Sequence, residues 1–171
     1  LGLCLGLQIM VIEAARNLLG YEDSNSTEFD EATPFPVIDL MPEQLKNLHK
    51  GGSMRLGLYE CKIVDSTYTK KIYKSNKIKE RHRHRYEINN KYVKELKNVG
   101  LISSGVHPEG DLVEIMEYND HPFMIGVQFH PEFLSTPLSP HPLFVEFVKS
   151  ALNNKDIRSN KINNEKESQI S

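Results

Sequence analysis

The chain has 171 residues, of which 39% are apolar and 26% charged, and its net charge is −2. These values fit one folded domain with an apolar core, because a domain of this size buries roughly 70% of its unfolded surface. The near balance of charge gives no electrostatic reason to expect nucleic acid or an anionic membrane as a partner. The longest apolar stretch, residues 1–11, is too short to span a bilayer. Two cysteines cannot form a disulfide framework, which favours a reducing, cytoplasmic setting.

The first part of the chain predicts one amphipathic helix, a polar loop and two strands. Between Gln8 and Leu19, apolar residues recur every three to four positions, which predicts a helix closed by Gly20. Residues 21–36 are polar and predict a loop. The buried stripe of the helix is predicted to contain Ile9, Ile12, Ala15 and Leu19. Strands are predicted at 37–41 and 58–65, with a surface helix or loop at 43–50 and a turn at Gly51-Gly52 between them.

The remaining residues predict alternating strands and helices before a polar tail. Residues 70–79 are basic and predict no clear element, whereas strict alternation over 81–88 predicts a strand with its arginines on one face and its histidines on the other. Pro142 is predicted to open the last helix. We place the end of the domain at residue 152, because 153–171 is rich in Asn, Lys, Glu and Ser and predicts a disordered tail. A helix is also predicted at 91–98, and strands at 101–104, 112–118 and 123–129, the last two joined by a hairpin turn.

The first motif that carries chemistry is Gly2-Leu3-Cys4-Leu5-Gly6, a G-x-C-x-G turn followed directly by the predicted helix. In a nucleophile elbow, a strand turns so sharply into a helix that the corner residue is strained and projects outward. Flanking glycines are expected because side chains there would collide with the neighbouring backbone. The helix N-terminus favours a thiolate at Cys4, and the Leu5 amide would point at a developing oxyanion. The alternative is a buried structural cysteine in an apolar turn.

A second motif, His130-Pro131-Glu132, supplies the base that a cysteine nucleophile needs. His130 follows a predicted apolar strand, at the end where open α/β sheets place their chemistry. Glu132 can accept a hydrogen bond from one imidazole nitrogen and leave the other facing the thiol. The alternative for His130 alone is a structural loop histidine.

Five sequence blocks then carry a specific family resemblance. The first and last are shared by many triad amidotransferases, and the middle three are characteristic of CTP synthases. Over residues 1 to about 152, the chain therefore resembles the glutaminase domain of class I (triad) glutamine amidotransferases and, within that class, the CTP synthases. The blocks are Gly2 to Gln8, Asn25 to Phe29, Gly51 to Gly57, Glu80 to Glu87 and Gln128 to Phe133.

The resemblance implies a role for each candidate residue. Cys4 would be the nucleophile, His130 the general base and Glu132 the residue that orients it. Glu28 would bind the α-amino group of L-glutamine and Arg85 would also contact this zwitterionic substrate. The glutamine site would further contain Leu5, Gly6, Leu7 and Gln8, with the Leu5 amide in the oxyanion hole.

The resemblance also implies an α/β, doubly wound, flavodoxin-like fold with a mostly parallel sheet. Because the chain begins inside the elbow motif, we expect an N-terminally truncated fragment that lacks the first strands of the domain. The implied reaction is hydrolysis of L-glutamine through a cysteine thioester, supplying ammonia for the ATP-dependent amination of UTP to CTP. ATP and Mg²⁺ would act in an amidoligase domain outside this chain, which itself is expected to hold no cofactor or metal. Implied partners are that domain and further copies in a tetramer or filament, in the cytoplasm, without nucleic acid or membrane.

Several alternatives stay open at this point. The Arg81-His82-Arg83-His84-Arg85 run could be an H-x-H metal site or a nucleic-acid patch, although flanking arginines would repel a cation and the chain is acidic overall. Glu28 could belong to a helix cap formed by Ser26 or Thr27. Another triad amidotransferase, a γ-glutamyl hydrolase or a catalytically incomplete fragment would share the elbow and the base.

Overall fold

A computed structural model describes residues 1–40, 54–109 and 112–168 of the protein. The predicted helix or loop at 43–50 and the turn at Gly51-Gly52 lie outside the described residues. Within the described ranges, the helices are α1 (Leu5–Asn17), α2 (Tyr68–Tyr73), α3 (Asn90–Asn98) and α4 (Pro142–Ser168). The strands there are β1 (Gly2–Leu3), β2 (Ser24–Ser26), β3 (Phe35–Asp39), β4 (Arg55–Ile63), β5 (Lys77–His84), β6 (Glu87–Ile88), β7 (Leu101–Val106), β8 (Val113–Tyr118) and β9 (Ile125–Val127).

The main sheet has six strands in the order β1-β9-β8-β7-β4-β5, and a smaller sheet has the order β2-β3-β6. The α/β class is confirmed, but the described part of the main sheet is mixed rather than mostly parallel. Only β1 and β9 pair in parallel there, while the other four neighbouring pairs are antiparallel. The connections explain the difference, because β8 and β9 are joined by a tight turn, which permits only antiparallel pairing. A parallel pair needs a long crossover, and β1 and β9 are separated by most of the chain.

Helices cover both faces of the main sheet, as the doubly wound prediction requires. On one face, α1 and α3 pack into an apolar cluster that includes Leu7, Leu96 and Met116. On the other face, α2 and the start of α4 pack into a cluster that includes Phe129 and Leu143. The junction between β1 and α1 therefore lies between the two apolar clusters, with Leu3 packed against one and Leu7 buried in the other.

The first helix begins earlier than the sequence predicts and buries a wider face. It starts at Leu5, directly after the motif cysteine, and ends at Asn17. Ile12 and Ala15 are buried as predicted, but Ile9 is 49% exposed. The helix contacts the main sheet through β1 and β9 and the smaller sheet through β2 and β3. Because it packs between two sheets, Leu7, Met10, Val11 and Ala14 are buried as well.

The helix α2 lies where the sequence predicts no element. The Thr67 hydroxyl caps it by accepting the N–H of Lys70. Two more amides of its first turn, those of Tyr68 and Thr69, donate to the carboxylate of Glu117 at 2.6 and 2.9 Å. Because Glu117 belongs to the distant strand β8, a local sequence pattern could not predict these two hydrogen bonds.

The last helix opens at Pro142, as predicted, and continues to Ser168. The sequence predicts a disordered tail from residue 153, whereas the backbone in the structure stays helical through most of that segment. Residues 151–155 are exposed, so this part of α4 lacks core packing. The domain boundary at 152 stays a prediction. Among the described helices, none is long and apolar enough to cross a membrane.

Candidate active site

The motif cysteine sits at a strained corner between β1 and α1. Cys4 has φ 49° and ψ −103°, a left-handed conformation that a residue with a side chain rarely adopts. Its backbone amide donates to the carbonyl oxygen of Val127 on β9 at 2.7 Å, while its own carbonyl accepts the first bond of the helix from Leu7 at 3.1 Å. This geometry is the predicted nucleophile elbow.

The two glycines of the motif differ in what they do. A Cβ on Gly2 would lie 2.7 Å from the backbone of Gly6, so the first glycine is required for the sharp turn. A Cβ on Gly6 itself would meet no atom within 4 Å. The expectation that both flanking glycines prevent a collision is therefore wrong for Gly6. A glycine is instead required at Gly126 on β9, where a Cβ would lie 2.6 Å from the Leu7 side chain.

The environment of the thiol favours the protonated form until a base acts on it. Burial raises the pKa of Cys4, and the carboxylates of Glu132 and Glu87 raise it further. Hydrogen bonds from the Leu5 amide and the Gln128 side chain lower the pKa but do not offset the burial. The Leu5 amide at the helix N-terminus thus acts in the direction that the sequence predicts, but burial outweighs it, so a reaction at this thiol would need a base to take its proton.

The candidate base and its orienting carboxylate are already paired. Nδ1 of His130 lies 2.6 Å from Oε1 of Glu132, which leaves Nε2 for the thiol. The backbone amide of His130 donates to the carbonyl oxygen of Arg81 at 2.8 Å, so the residue is fixed at the end of β9. Pro131 opens a short 3₁₀ helix that presents Glu132. Because β1 and β9 are parallel, Cys4 and His130 follow carboxyl ends on the same edge of the sheet.

A cleft of about 490 Å³ opens beside the thiol. Of the predicted glutamine-site residues, Leu5, Gln8, Glu28 and Arg85 line it together with Cys4. Leu7 does not, because its side chain is fully buried in the core. Gly6, which has no side chain, follows Leu5 in the first turn of α1. The other lining residues, which no sequence motif assigned to the substrate, are Phe29, Met54, Arg83, His84 and Tyr86.

The local structure around Glu28 excludes a helix cap. The hydroxyl of Ser26 accepts the backbone amide of Glu28 at 3.2 Å, but a turn follows there instead of a helix. The side chain of Glu28 is left to line the cleft. The charged groups that line the cleft are the carboxylate of Glu28 and the guanidinium groups of Arg83 and Arg85, which together supply the two signs of charge that a zwitterionic amino acid requires.

A buried polar cluster lies behind the cleft. Arg55 contacts Glu114 at 2.8 Å and Glu87 at 3.3 Å. Nδ1 of His82 lies 2.8 Å from Nε2 of His84. Burial and the charge of Arg55 lower the pKa of His82 to about 2 and that of His84 to about 3, so both rings are neutral.

This cluster argues against the metal alternative for the Arg-His run. As predicted, the two histidines share the inner face of β5 while Arg81 and Arg83 are exposed on the other. The rings bond to each other, and nowhere in the described part of the chain do three or more His, Cys, Asp or Glu side chains stand where they could hold a metal ion.

The elbow, the His130–Glu132 pair and the cleft are the arrangement expected of a class I glutamine amidotransferase, and the sequence comparison shows the family. The family described as "Glutamine amidotransferase class-I" matches residues 1–150. The chain therefore belongs to the class I glutamine amidotransferase family.

Within that family, the chain is similar to CTP synthases. It is 57% identical over 155 residues to the CTP synthase of Caldanaerobacter subterraneus, covering 91% of this chain and 29% of that protein. It is also 57% identical over 152 residues to the CTP synthase of Flavobacterium johnsoniae, covering 89% of this chain and 28% of that protein. The chain thus spans less than a third of the length of these relatives.

A solved structure shares the fold. The glutaminase domain of the Trypanosoma brucei CTP synthase, with bound acivicin, superposes with a TM-score of 0.83 at 40% identity. The match covers 89% of this chain and 59% of that one. The predicted likeness to the glutaminase domain of CTP synthases is confirmed.

Proposed function

We propose that this chain is the glutaminase part of a CTP synthase, which hydrolyses L-glutamine and supplies ammonia for the ATP-dependent amination of UTP to CTP. The observation that carries the proposal is the placement of Cys4 and the His130–Glu132 pair at one edge of the sheet, with Cys4 lining a cleft that also holds one carboxylate and two guanidinium groups. The similarity to CTP synthases at 57% identity supports the acceptor.

The reaction would proceed in two acyl-transfer steps. His130 takes the proton of Cys4 as the sulfur attacks the side-chain amide carbon of glutamine. The same proton passes to the leaving nitrogen, so ammonia departs and a γ-glutamyl thioester remains. Water, deprotonated by His130, then attacks the thioester carbon, the C–S bond breaks, and the same proton returns to the sulfur of Cys4 as glutamate is released. Glu132 keeps Nδ1 occupied throughout and stabilises the imidazolium.

The Leu5 amide would stabilise the oxyanion of each tetrahedral intermediate. It belongs to the residue directly after the nucleophile and contacts the sulfur in the free protein. A backbone N–H in this position needs no reorganisation when negative charge develops on the substrate oxygen.

Substrate recognition would depend on two of the charged residues of the cleft. Glu28 would accept the α-ammonium group of glutamine and Arg85 would bind its α-carboxylate. Gln8, also in the cleft, would supply amide contacts. The proposal assigns no residue of this chain to ATP or Mg²⁺, which would act in an amidoligase domain elsewhere in the protein. Assembly into a tetramer or filament and a cytoplasmic location are part of the same proposal, the latter supported by the free thiols of Cys4 and Cys61.

The test uses the protein that carries this chain together with the amidoligase domain. Cys4→Ala should abolish CTP formation from glutamine and leave CTP formation from added ammonia nearly intact. Cys61→Ser is the matched control, because that thiol is fully buried and away from the cleft. Equal loss with both nitrogen sources, in a folded variant, would assign Cys4 a structural role. Glutamine hydrolysis without any CTP would indicate another triad amidotransferase, and release of glutamate from γ-glutamyl peptides would indicate a hydrolase.

A further inference from the structure

A series of amide groups connects the backbone behind the cleft to the sulfur of Cys4. Nε2 of Gln8 lies 3.1 Å from the carbonyl oxygen of Tyr86 and 3.4 Å from Oε1 of Gln128. Nε2 of Gln128 in turn lies 3.8 Å from Sγ of Cys4. Gln128 is fully buried and Gln8 is 3% exposed. Buried amides are costly unless they are hydrogen-bonded, so each of these groups depends on the next.

The direction of each amide follows from Tyr86. Its carbonyl oxygen can only accept, so Gln8 must turn Nε2 toward it rather than Oε1. The second N–H of the same nitrogen then faces Oε1 of Gln128. This contact turns Nε2 of Gln128 toward Cys4, so the sulfur receives an N–H donor and not a carbonyl oxygen.

We propose that Gln128 is a positioning residue for the nucleophile, which holds the Cys4 sulfur and favours its thiolate through an N–H···S hydrogen bond that Gln8 keeps in direction. The inference rests on the proposed function only in taking Cys4 as the nucleophile. A hydrogen bond donated to an anion is stronger than one donated to a neutral group, so this contact gains strength when the thiol loses its proton. Its effect on the pKa of Cys4 has the same direction, downward against the burial.

The position of Gln128 suits this role. Its backbone amide donates to the carbonyl oxygen of Glu114 at 2.8 Å, which fixes the residue just beyond β9 and two positions before His130. The other end of the series is Tyr86, the residue after Arg85. The same backbone segment that lines the cleft therefore also sets the direction of the donor at the sulfur.

The test is the pH dependence of Cys4 alkylation by iodoacetamide, followed by mass spectrometry of the peptide that contains Cys4. This readout needs no turnover, so it succeeds or fails independently of glutamine hydrolysis. In Gln128→Met, which keeps the side-chain length and removes the donor, we expect the midpoint of the profile to move to higher pH. Alkylation at pH 7 should fall roughly three- to tenfold, as loss of a hydrogen bond to an anion implies. Gln8→Met should move the midpoint in the same direction by less, because Gln128 remains but is free to turn.

The shape of the profile separates this role from a merely structural one. A change in access to the thiol would alter the plateau rate at high pH and leave the midpoint in place. Glu132 and Glu87, the acidic groups that act on Cys4, and the proposed base His130 are unchanged in every variant. Ser104→Ala is the control, since Ser104 is equally buried but hydrogen-bonds to Thr69 on the far side of the sheet.

A second variant keeps the proposal testable if Gln128→Met does not fold. Gln128→Glu retains the acceptor for Gln8 and places a carboxylate near the sulfur, so it should raise the midpoint more than any other variant. Thermal unfolding of each variant establishes that it is folded. An unchanged midpoint in folded Gln128→Glu or Gln128→Met would overturn the proposal.

Discussion

The backbone amide of Cys4 donates a hydrogen bond to the carbonyl oxygen of Val127, 2.7 Å away on the neighbouring strand. This bond continues the parallel pairing of β1 with β9, in which Leu3 is opposite Val127. The residue after β1 and the residues after β9 therefore leave the sheet at the same edge. One register thus places Cys4 and His130 at the same edge of the sheet, although they come from opposite ends of the domain sequence.

The first prediction compares His130, the proposed general base, with Glu132, the carboxylate that orients it. His130→Ala should lower kcat for glutamine hydrolysis by about 10⁴-fold or more, because the proton transfer is lost. Glu132→Gln should cost roughly ten- to a hundredfold less, since Gln can still hold Nδ1 but does not stabilise the imidazolium. Steady-state kinetics of the two variants is the measurement, and an equal or larger loss from Glu132→Gln would contradict the orienting role.

The second prediction concerns substrate charge. Glu28→Gln and Arg85→Met should each raise KM for glutamine about 10- to 100-fold with a much smaller change in kcat, because they contact groups that do not react. Arg81→Met is the matched control, because Arg81 is exposed on β5 and lies outside the cleft lining. If Arg81→Met raised KM as much as Arg85→Met, the rise would come from the loss of positive charge near the cleft and not from a specific contact between Arg85 and glutamine.

The third prediction separates the two motif glycines by stability. Gly2→Ala should lower the free energy of unfolding by about 1–3 kcal/mol, because the added Cβ overlaps the backbone of Gly6. Gly6→Ala should be neutral or slightly stabilising, since its Cβ has open space and Ala is the better helix former. Denaturant unfolding of both variants measures the difference. Equal destabilisation would mean that the turn is not constrained as the structure indicates.

The fourth prediction concerns Glu87, whose carboxylate shares Arg55 with Glu114. Burial raises the pKa of Glu87 to about 8, with Arg55 acting in the opposite direction. The folded protein then holds a proton that the unfolded chain releases near pH 4.5, so this group stabilises the fold at low pH and loses its effect as the pH rises toward 8. The stability of the native protein relative to Glu87→Gln should therefore fall by up to ~1.4 kcal/mol per pH unit over this range.

The difference between the two proteins is the informative quantity, because other groups titrate as well. His82 and His84 have lowered pKa values and therefore contribute the opposite slope, with stability lost as the pH falls through about 6.5 and below. Melting temperatures at pH 5, 6.5 and 8 give the comparison, with Glu60→Gln on the surface of β4 as the control. Parallel curves for the native protein and Glu87→Gln would show that Glu87 is ionised in the fold throughout.

The sequence predicts the elbow and the base well because each is a local pattern. The spacing of Gly2 and Cys4 ahead of an apolar helix determines the turn, and His130 and Glu132 are close enough to pair without help from the rest of the fold. Strand alternation likewise places His82 and His84 on the inner face of β5. These features need no long-range information.

The features that the sequence does not predict depend on contacts between distant segments. Two amides in the first turn of α2 donate to Glu117 from β8. The helix α1 buries a wider face than its stripe predicts because it contacts both sheets. The mixed pairing of the main sheet follows from which strands become neighbours. Gln128 belongs to the motif that contains His130, but its contact with the sulfur of Cys4 depends on the pairing of β9 with β1, which the sequence does not predict.

The most direct test of the account is to isolate the acyl-enzyme. Protein mixed with glutamine and quenched in acid within the turnover time should carry a γ-glutamyl group on the peptide that contains Cys4. The adduct should be absent from Cys4→Ala, because the thioester forms on the sulfur of Cys4. Release of glutamate from Cys4→Ala, or an adduct on Cys61 in place of Cys4, would contradict the claim that Cys4 is the nucleophile.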